Sequence, residues 1–145
     1  MPKNTLKLLK VKLLFLLTAV SYTILILYLS LINLADTPVK ELGVSDKVMH
    51  GGAYFGLGLL WMLFVLFSFK ENKLFKKILI ISVSSIAFGI FIEVLQDTLT
   101  SYRQLDLYDI FANTLGVVLA GIVVWTLRKY LIRLKAKINL DLMKN

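Results

Sequence analysis

Ile78-Leu79-Ile80-Ile81-Ser82-Val83-Ser84-Ser85-Ile86-Ala87-Phe88-Gly89-Ile90-Phe91-Ile92-Glu93-Val94-Leu95 is an eighteen-residue stretch with one charge, Glu93. As a helix it is about 27 Å long at 1.5 Å per residue, close to the roughly 30 Å hydrocarbon core of a bilayer. Three similar stretches surround it. Leu13 to Leu34 and Ile110 to Leu127 carry no charge, and Val48 to Phe69 has only His50 as an ionisable group besides tyrosine. Four such stretches in 145 residues leave no amphipathic layer to shield them from water. The sequence therefore predicts an all-α, integral membrane four-helix bundle. Residues 13–127 form one four-span domain, flanked by basic tails at 1–12 and 128–145.

Composition agrees. The chain is 58% apolar and 18% charged, with a mean hydropathy of +0.78. Soluble domains are roughly 45–50% apolar and about 25% charged, and disordered chains are less hydrophobic still. The absence of cysteine excludes a disulfide scaffold, a thiolate metal site and a cysteine nucleophile. A net charge of +8 in a soluble protein would suggest nucleic acid; in so apolar a chain it points to basic loops that set membrane orientation. No Gly-rich phosphate loop, nucleic-acid module or repeat array is present, so no nucleic-acid partner is expected.

The first stretch is longer than the roughly 7–15 residues of a signal h-region, and its end lacks a small-x-small cleavage site. It is expected to remain as an anchor. Fourteen of the 17 basic residues fall in the N-terminal tail, the Lys70–Lys77 loop and the C-terminal tail. The positive-inside rule then places both termini in the cytoplasm of a bacterial plasma membrane. Loops Ala35–Lys47 and Gln96–Asp109 face outward. The C-terminal tail alternates basic and apolar residues, which suits either the inner leaflet or a solvated helix end.

Helices in lipid associate through close backbone approach and polar contacts. Gly52 and Gly56 are four apart in the second span, and Ala112, Gly116 and Ala120 are four apart in the fourth. In the third, Ser82, Ser85, Gly89, Glu93 and Gln96 follow spacings of 3, 4, 4 and 3, one helical face. Thr18, Ser21 and Tyr28 form a weaker stripe on the first. These faces predict a compact bundle and leave a homo-oligomer open.

The remaining polar chemistry converges at one depth, the outer interface. Asp46, Lys47 and His50 open the second span; Glu93 and Gln96 close the third; Arg103 and Asp106 lie in the following loop; Asp109 and Asn113 open the fourth. A carboxylate at mid-membrane costs about 3 kcal/mol, less near the interface. The helix dipole adds roughly 0.3–1 kcal/mol against an anion in a last turn. Glu93 therefore needs a partner, and Arg103, Lys47 and protonated His50 are the candidates. Glu93 and Asp109 are expected to approach one another, with His50 or Arg103 in reach. Intramembrane ionisable groups mark functional sites by default, but a bundle-locking hydrogen bond is the structural alternative for Glu93. For Asp46, Asp106 and Asp109 that alternative is helix capping. Lys47 and Arg103 suit either interfacial anchoring or a lipid phosphate.

Asp46-Lys47-Val48-Met49-His50 with Tyr54 and Gly58, then Gly89-Ile90-Phe91-Ile92-Glu93-Val94-Leu95-Gln96, Arg103 and Asp109-Ile110-Phe111-Ala112-Asn113-Thr114-Leu115-Gly116, resembles the VanZ-like family of small membrane proteins. The resemblance covers about residues 46–121. It departs at Gly51-Gly52, where the family often has a bulkier residue. The family is named for a protein associated with low-level teicoplanin resistance, so the resemblance implies a cell-envelope role without implying drug resistance for this chain. It also implies a site at Asp46, Lys47, His50, Glu93, Gln96, Arg103, Asp109 and Asn113.

Three functions compete. In the first, the outer cluster binds an anionic lipid or lipid-linked cell-wall precursor headgroup: Lys47, Arg103 and the helix N-termini meet phosphate, and Glu93, Asp109 and Asn113 orient the rest. In the second, the chain is an intramembrane enzyme, with Glu93 or Asp109 as general base and His50 as general acid. In the third, the cluster only locks a scaffold. No established motif with a named nucleophile is present, so binding ranks first. No cofactor is expected. Nor is a metal assigned, because His50, Glu93 and Asp109 are a weak metal signal in sequence alone.

Overall fold

The computed structural model describes residues 3–32, 45–100 and 104–144. They form four helices: α1 (Lys3–Leu31), α2 (Asp46–Ser68), α3 (Leu74–Leu99) and α4 (Leu107–Lys144). Each is long and apolar enough to cross a membrane. The segments 3–12 and 128–144 continue α1 and α4 without a break. At 38 residues α4 is about 57 Å long, well beyond one hydrocarbon core. Nothing in Arg128–Lys137 interrupts it, because neither glycine nor proline occurs there.

Local chemistry sets the helix ends. Asp106 caps α4: its Oδ1 accepts from the Tyr108 amide at 2.7 Å, and its carbonyl accepts from the amides of Asp109 and Ile110. At the end of α3 the Thr100 hydroxyl donates to the Gln96 carbonyl at 2.6 Å. Lys73 takes a left-handed conformation, φ 55°, at the turn from α2 into α3.

The most extensive contact joins α2 and α4, and glycine makes it possible. A Cβ on Gly116 would lie 2.1 Å from the Gly51 carbonyl oxygen and 2.9 Å from the Phe55 nitrogen, so the two backbones touch. Ala112 and Ala120 are buried on the same face of α4. On α2 the close approach uses Gly51 and Gly58. Gly52 has open space around it, and Gly56 faces the Tyr22 hydroxyl of α1. On α3, Ser85, Gly89, Glu93 and Gln96 are buried, and Ser82 is half-buried.

The stripe expected on α1 is displaced: Thr18, Ser21 and Tyr28 are all exposed. The buried face carries Ala19 and Ile26, with Tyr22 and Thr23 half-buried beside them. The Tyr22 hydroxyl donates to the Ala53 carbonyl at 3.2 Å, and Trp61 Nε1 donates to the Thr23 hydroxyl at 3.0 Å. Thr18 needs no neighbouring helix, because its hydroxyl donates to the Leu14 carbonyl of its own helix at 2.9 Å.

Alternating helix directions give the bundle two unlike ends. One gathers the start of α1, the turn between α2 and α3, and the end of α4; its core includes Met62, Leu66, Phe67, Leu74 and Val124. The other gathers the starts of α2 and α4 and the ends of α1 and α3.

Candidate functional site

At this second end the apolar core gives way to polar side chains. Glu93 is 1% exposed, Gln96 and Asn113 2% each, and Asp109 7%. Burial of ionisable and amide groups costs free energy unless they are met by partners, and most of these contacts are visible. Gln96 Nε2 donates to the Ser30 carbonyl at 2.9 Å, tying α3 to the end of α1. His50, one turn into α2, reaches three elements. Its Nδ1 donates to Asn113 Oδ1 at 3.3 Å and lies 3.8 Å from Glu93 Oε1. Its Nε2 lies 3.7 Å from Asp109 Oδ2 and 3.8 Å from Asp46 Oδ1. Imidazole thus stands between the carboxylates of Glu93 and Asp109 and shares a helix face with Asp46, four residues earlier.

Lys47 points to α4, where its ammonium pairs with both Asp106 and Asp109. The hydrogen bond from Lys47, followed by that from the Tyr108 amide, holds the Asp106 carboxyl below the usual range. Asp46 and Asp109 each lie in the first turn of a helix, where the dipole favours an anion. Among the site residues expected from the sequence, Asp46, Lys47, His50, Glu93, Gln96, Asp109 and Asn113 share this end. Arg103 lies outside the described residues.

Two further participants stand outside the eight residues that the family resemblance marks. Asp106 shares Lys47 with Asp109; its position as a helix cap hid the second contact. Tyr54 is buried against Gly89, where a Cβ would lie 3.0 Å from the tyrosine ring, and its hydroxyl has no hydrogen-bond partner among the described residues. The buried amide nitrogen of Asn113 likewise has none. Gly89 was the available signal for Tyr54, since it clears room for a ring at that depth.

Beside this cluster, a groove of about 530 Å³ runs between α2 and α4. Lys47 stands in its lining, and the rest is largely apolar, including Gly52, Phe55, Phe111, Leu115 and Leu119. The volume is in the range of pockets that take small organic ligands.

No family model, curated protein or solved structure matches the chain.

Proposed function

We propose that the chain is a multi-pass protein of a bacterial plasma membrane, with both termini cytoplasmic and a cell-envelope role like that of the VanZ-like family it resembles. Its acidic end faces outward and binds an amphipathic, lipid-linked ligand: an anionic lipid or a lipid-linked cell-wall precursor. One observation carries this. A buried polar cluster and an apolar groove adjoin one another and share Lys47. A hydrocarbon tail suits the groove, and a headgroup suits Glu93, His50, Asp109 and Asn113. The Lys47 side chain is 40% exposed, so its ammonium can meet phosphate while bound to Asp106 and Asp109.

Gly52 supplies the test, because it lines the groove and a Cβ there meets no atom within 4 Å, which leaves room for a larger side chain to enter. In detergent, Gly52→Leu should melt like wild type and lose anionic-lipid retention at least tenfold by native mass spectrometry. Glu93→Gln should lose headgroup selectivity. Variants that retain lipid like wild type and differ only in melting would establish the scaffold role instead. Orientation has a separate test. Single cysteines at Lys40 and Arg103 should react with an impermeant thiol reagent in intact cells, and one at Lys73 should not.

The enzyme alternative draws on one further feature, the imidazole of His50 flanked by the carboxylates of Glu93 and Asp109. Turnover of a lipid-linked headgroup, abolished by His50→Gln, would favour it over binding.

A further inference from the structure

We propose that Asp46, His50 and Asp109 form a binding site for one divalent transition-metal ion. The three residues come from the starts of two helices, Asp46 and Asp109 in first turns and His50 one turn on, and one donor atom from each lies within 4.8 Å of the others. A first-row ion binds imidazole nitrogen and carboxylate oxygen at roughly 2.0–2.2 Å, so it can bridge donors up to about 4.2 Å apart. His50 Nε2 is 3.8 Å from Asp46 Oδ1 and 3.7 Å from Asp109 Oδ2, inside that span. The Asp46 side chain is 58% exposed, which leaves it free to close the remaining gap.

A second observation concerns the other ring nitrogen. His50 Nδ1 donates to Asn113 Oδ1, from a residue 2% exposed. That bond puts a proton on Nδ1, so a neutral imidazole turns its Nε2 lone pair to two carboxylates. Metal-ligating histidines are oriented in this way, with the distal N–H given to an oxygen and the other nitrogen given to the ion. Without a cation or a proton at Nε2, three electron-rich atoms would face one another. Lys47 does not fill this position, because it meets Asp109 through Oδ1 and leaves Oδ2 turned to the imidazole. The mixed nitrogen and oxygen set favours zinc over calcium or magnesium, which take oxygen ligands, and manganese serves as a weaker paramagnetic probe.

Three protein donors leave coordination positions open. An ion there would supply positive charge for a phosphate at an end where carboxylates outnumber ammonium groups. This use rests on the proposed headgroup binding; the ion site itself does not.

The test uses the tag-free chain in detergent after chelator dialysis, titrated with MnCl₂ by electron paramagnetic resonance and with ZnCl₂ by calorimetry, without lipid. One ion per chain is expected. Asp46→Asn and His50→Gln should each weaken binding at least tenfold, with metal-free melting lowered only slightly for the exposed Asp46→Asn, which gives up its helix-dipole contact. Asn113→Leu should weaken it about 10–100-fold through the histidine it orients. Calcium at millimolar concentration should not compete. Absence of saturable binding, unchanged affinity in both Asp46→Asn and His50→Gln, or calcium binding equal to zinc would each overturn the site. Lipid retention measured with and without the ion then reports on the headgroup proposal separately: an ion that binds without affecting lipid would refute only its bridging role.

Discussion

The two ends of this bundle are built on opposite charge balances. The N-terminal segment, the α2–α3 turn and the C-terminal segment carry fourteen basic residues against two acidic ones, Glu71 and Asp141. The other end, with its connecting segments, carries three basic residues against seven acidic ones. The basic end closes over side-chain packing: Phe15 stacks on Phe67 with ring centroids 4.8 Å apart, and Leu131, Ile132 and Ile138 cover the same core. The acidic end closes over backbone contact at Gly51 and Gly116 and over buried polar groups. The first arrangement tolerates change, because side chains can repack. The second is narrow in what it accepts, as expected where a site is held in fixed geometry.

The largest effect should come from comparing two glycines of α4. Gly116→Ala places a methyl group against the backbone of Gly51 and Phe55. Backbone cannot rotate aside, so the helices must separate, at a cost of about 3 kcal/mol or failure to fold. At Gly121 the nearest atoms to a new Cβ are side-chain atoms of Ile78, Met62 and Ser82, 3.5–3.7 Å away, in ordinary contact. Gly121→Ala should stabilise by roughly 0.5–1 kcal/mol through helix propensity. Equal melting temperatures for the two variants in the same detergent would break the comparison.

The next effect contrasts two lysines. Lys47 serves Asp106 and the largely buried Asp109, whereas Lys135 donates to the Phe69 carbonyl and to Glu71, each at 2.6 Å. Lys47→Met leaves Asp109 without its ammonium in a poorly hydrated position and should cost about 2 kcal/mol. That is less than a fully buried pair would cost, because the lysine is 40% exposed. Lys135→Met should cost under about 1 kcal/mol, since Glu71 stays in water. Asp109→Asn should recover part of the loss on the Lys47→Met background. Without that recovery, the pairing does not account for the cost.

Much of this architecture is legible in the sequence because it depends on local properties. A charge-free run of spanning length can be read residue by residue. The alternation of spans then brings Asp46, His50, Glu93 and Asp109 to one depth. The inward face of α3 is legible too, because Ser85, Gly89, Glu93 and Gln96 keep helical spacing in a largely apolar helix. The rest depends on partners. Thr18 reads as interfacial until its bond to its own helix is seen. Gly51 and Gly52 are indistinguishable until α4 shows which of them it touches. The approach of Asp46 to Asp109 across two helix starts depends on the crossing of α2 and α4, and no spacing within either helix encodes it.

The smallest effect is a pH dependence at the basic end, and its sign follows from Glu71. The Lys135 hydrogen bond, then a backbone hydrogen bond, hold the Glu71 carboxyl below its ordinary value. A carboxyl with a lowered folded pKa contributes stability above its unfolded pKa of about 4.3. That contribution is lost as pH falls through the lower folded value. At pH 6, Glu71→Gln should therefore lower stability by roughly 0.2–1 kcal/mol, the range of exposed pairs, since Glu71 is 41% exposed. As the pH falls below about 4 the two melting curves should converge, because protonated Glu71 and glutamine then offer Lys135 the same uncharged acceptor. Acid sensitivity should remain in Glu71→Gln, because Asp106 at the opposite end is also held low, by Lys47. Removing both, in Glu71→Gln with Asp106→Asn, should flatten the profile further. A constant offset between wild type and Glu71→Gln from pH 6 to pH 3 would mean that the pair contributes through packing of the Lys135 stem and not through charge.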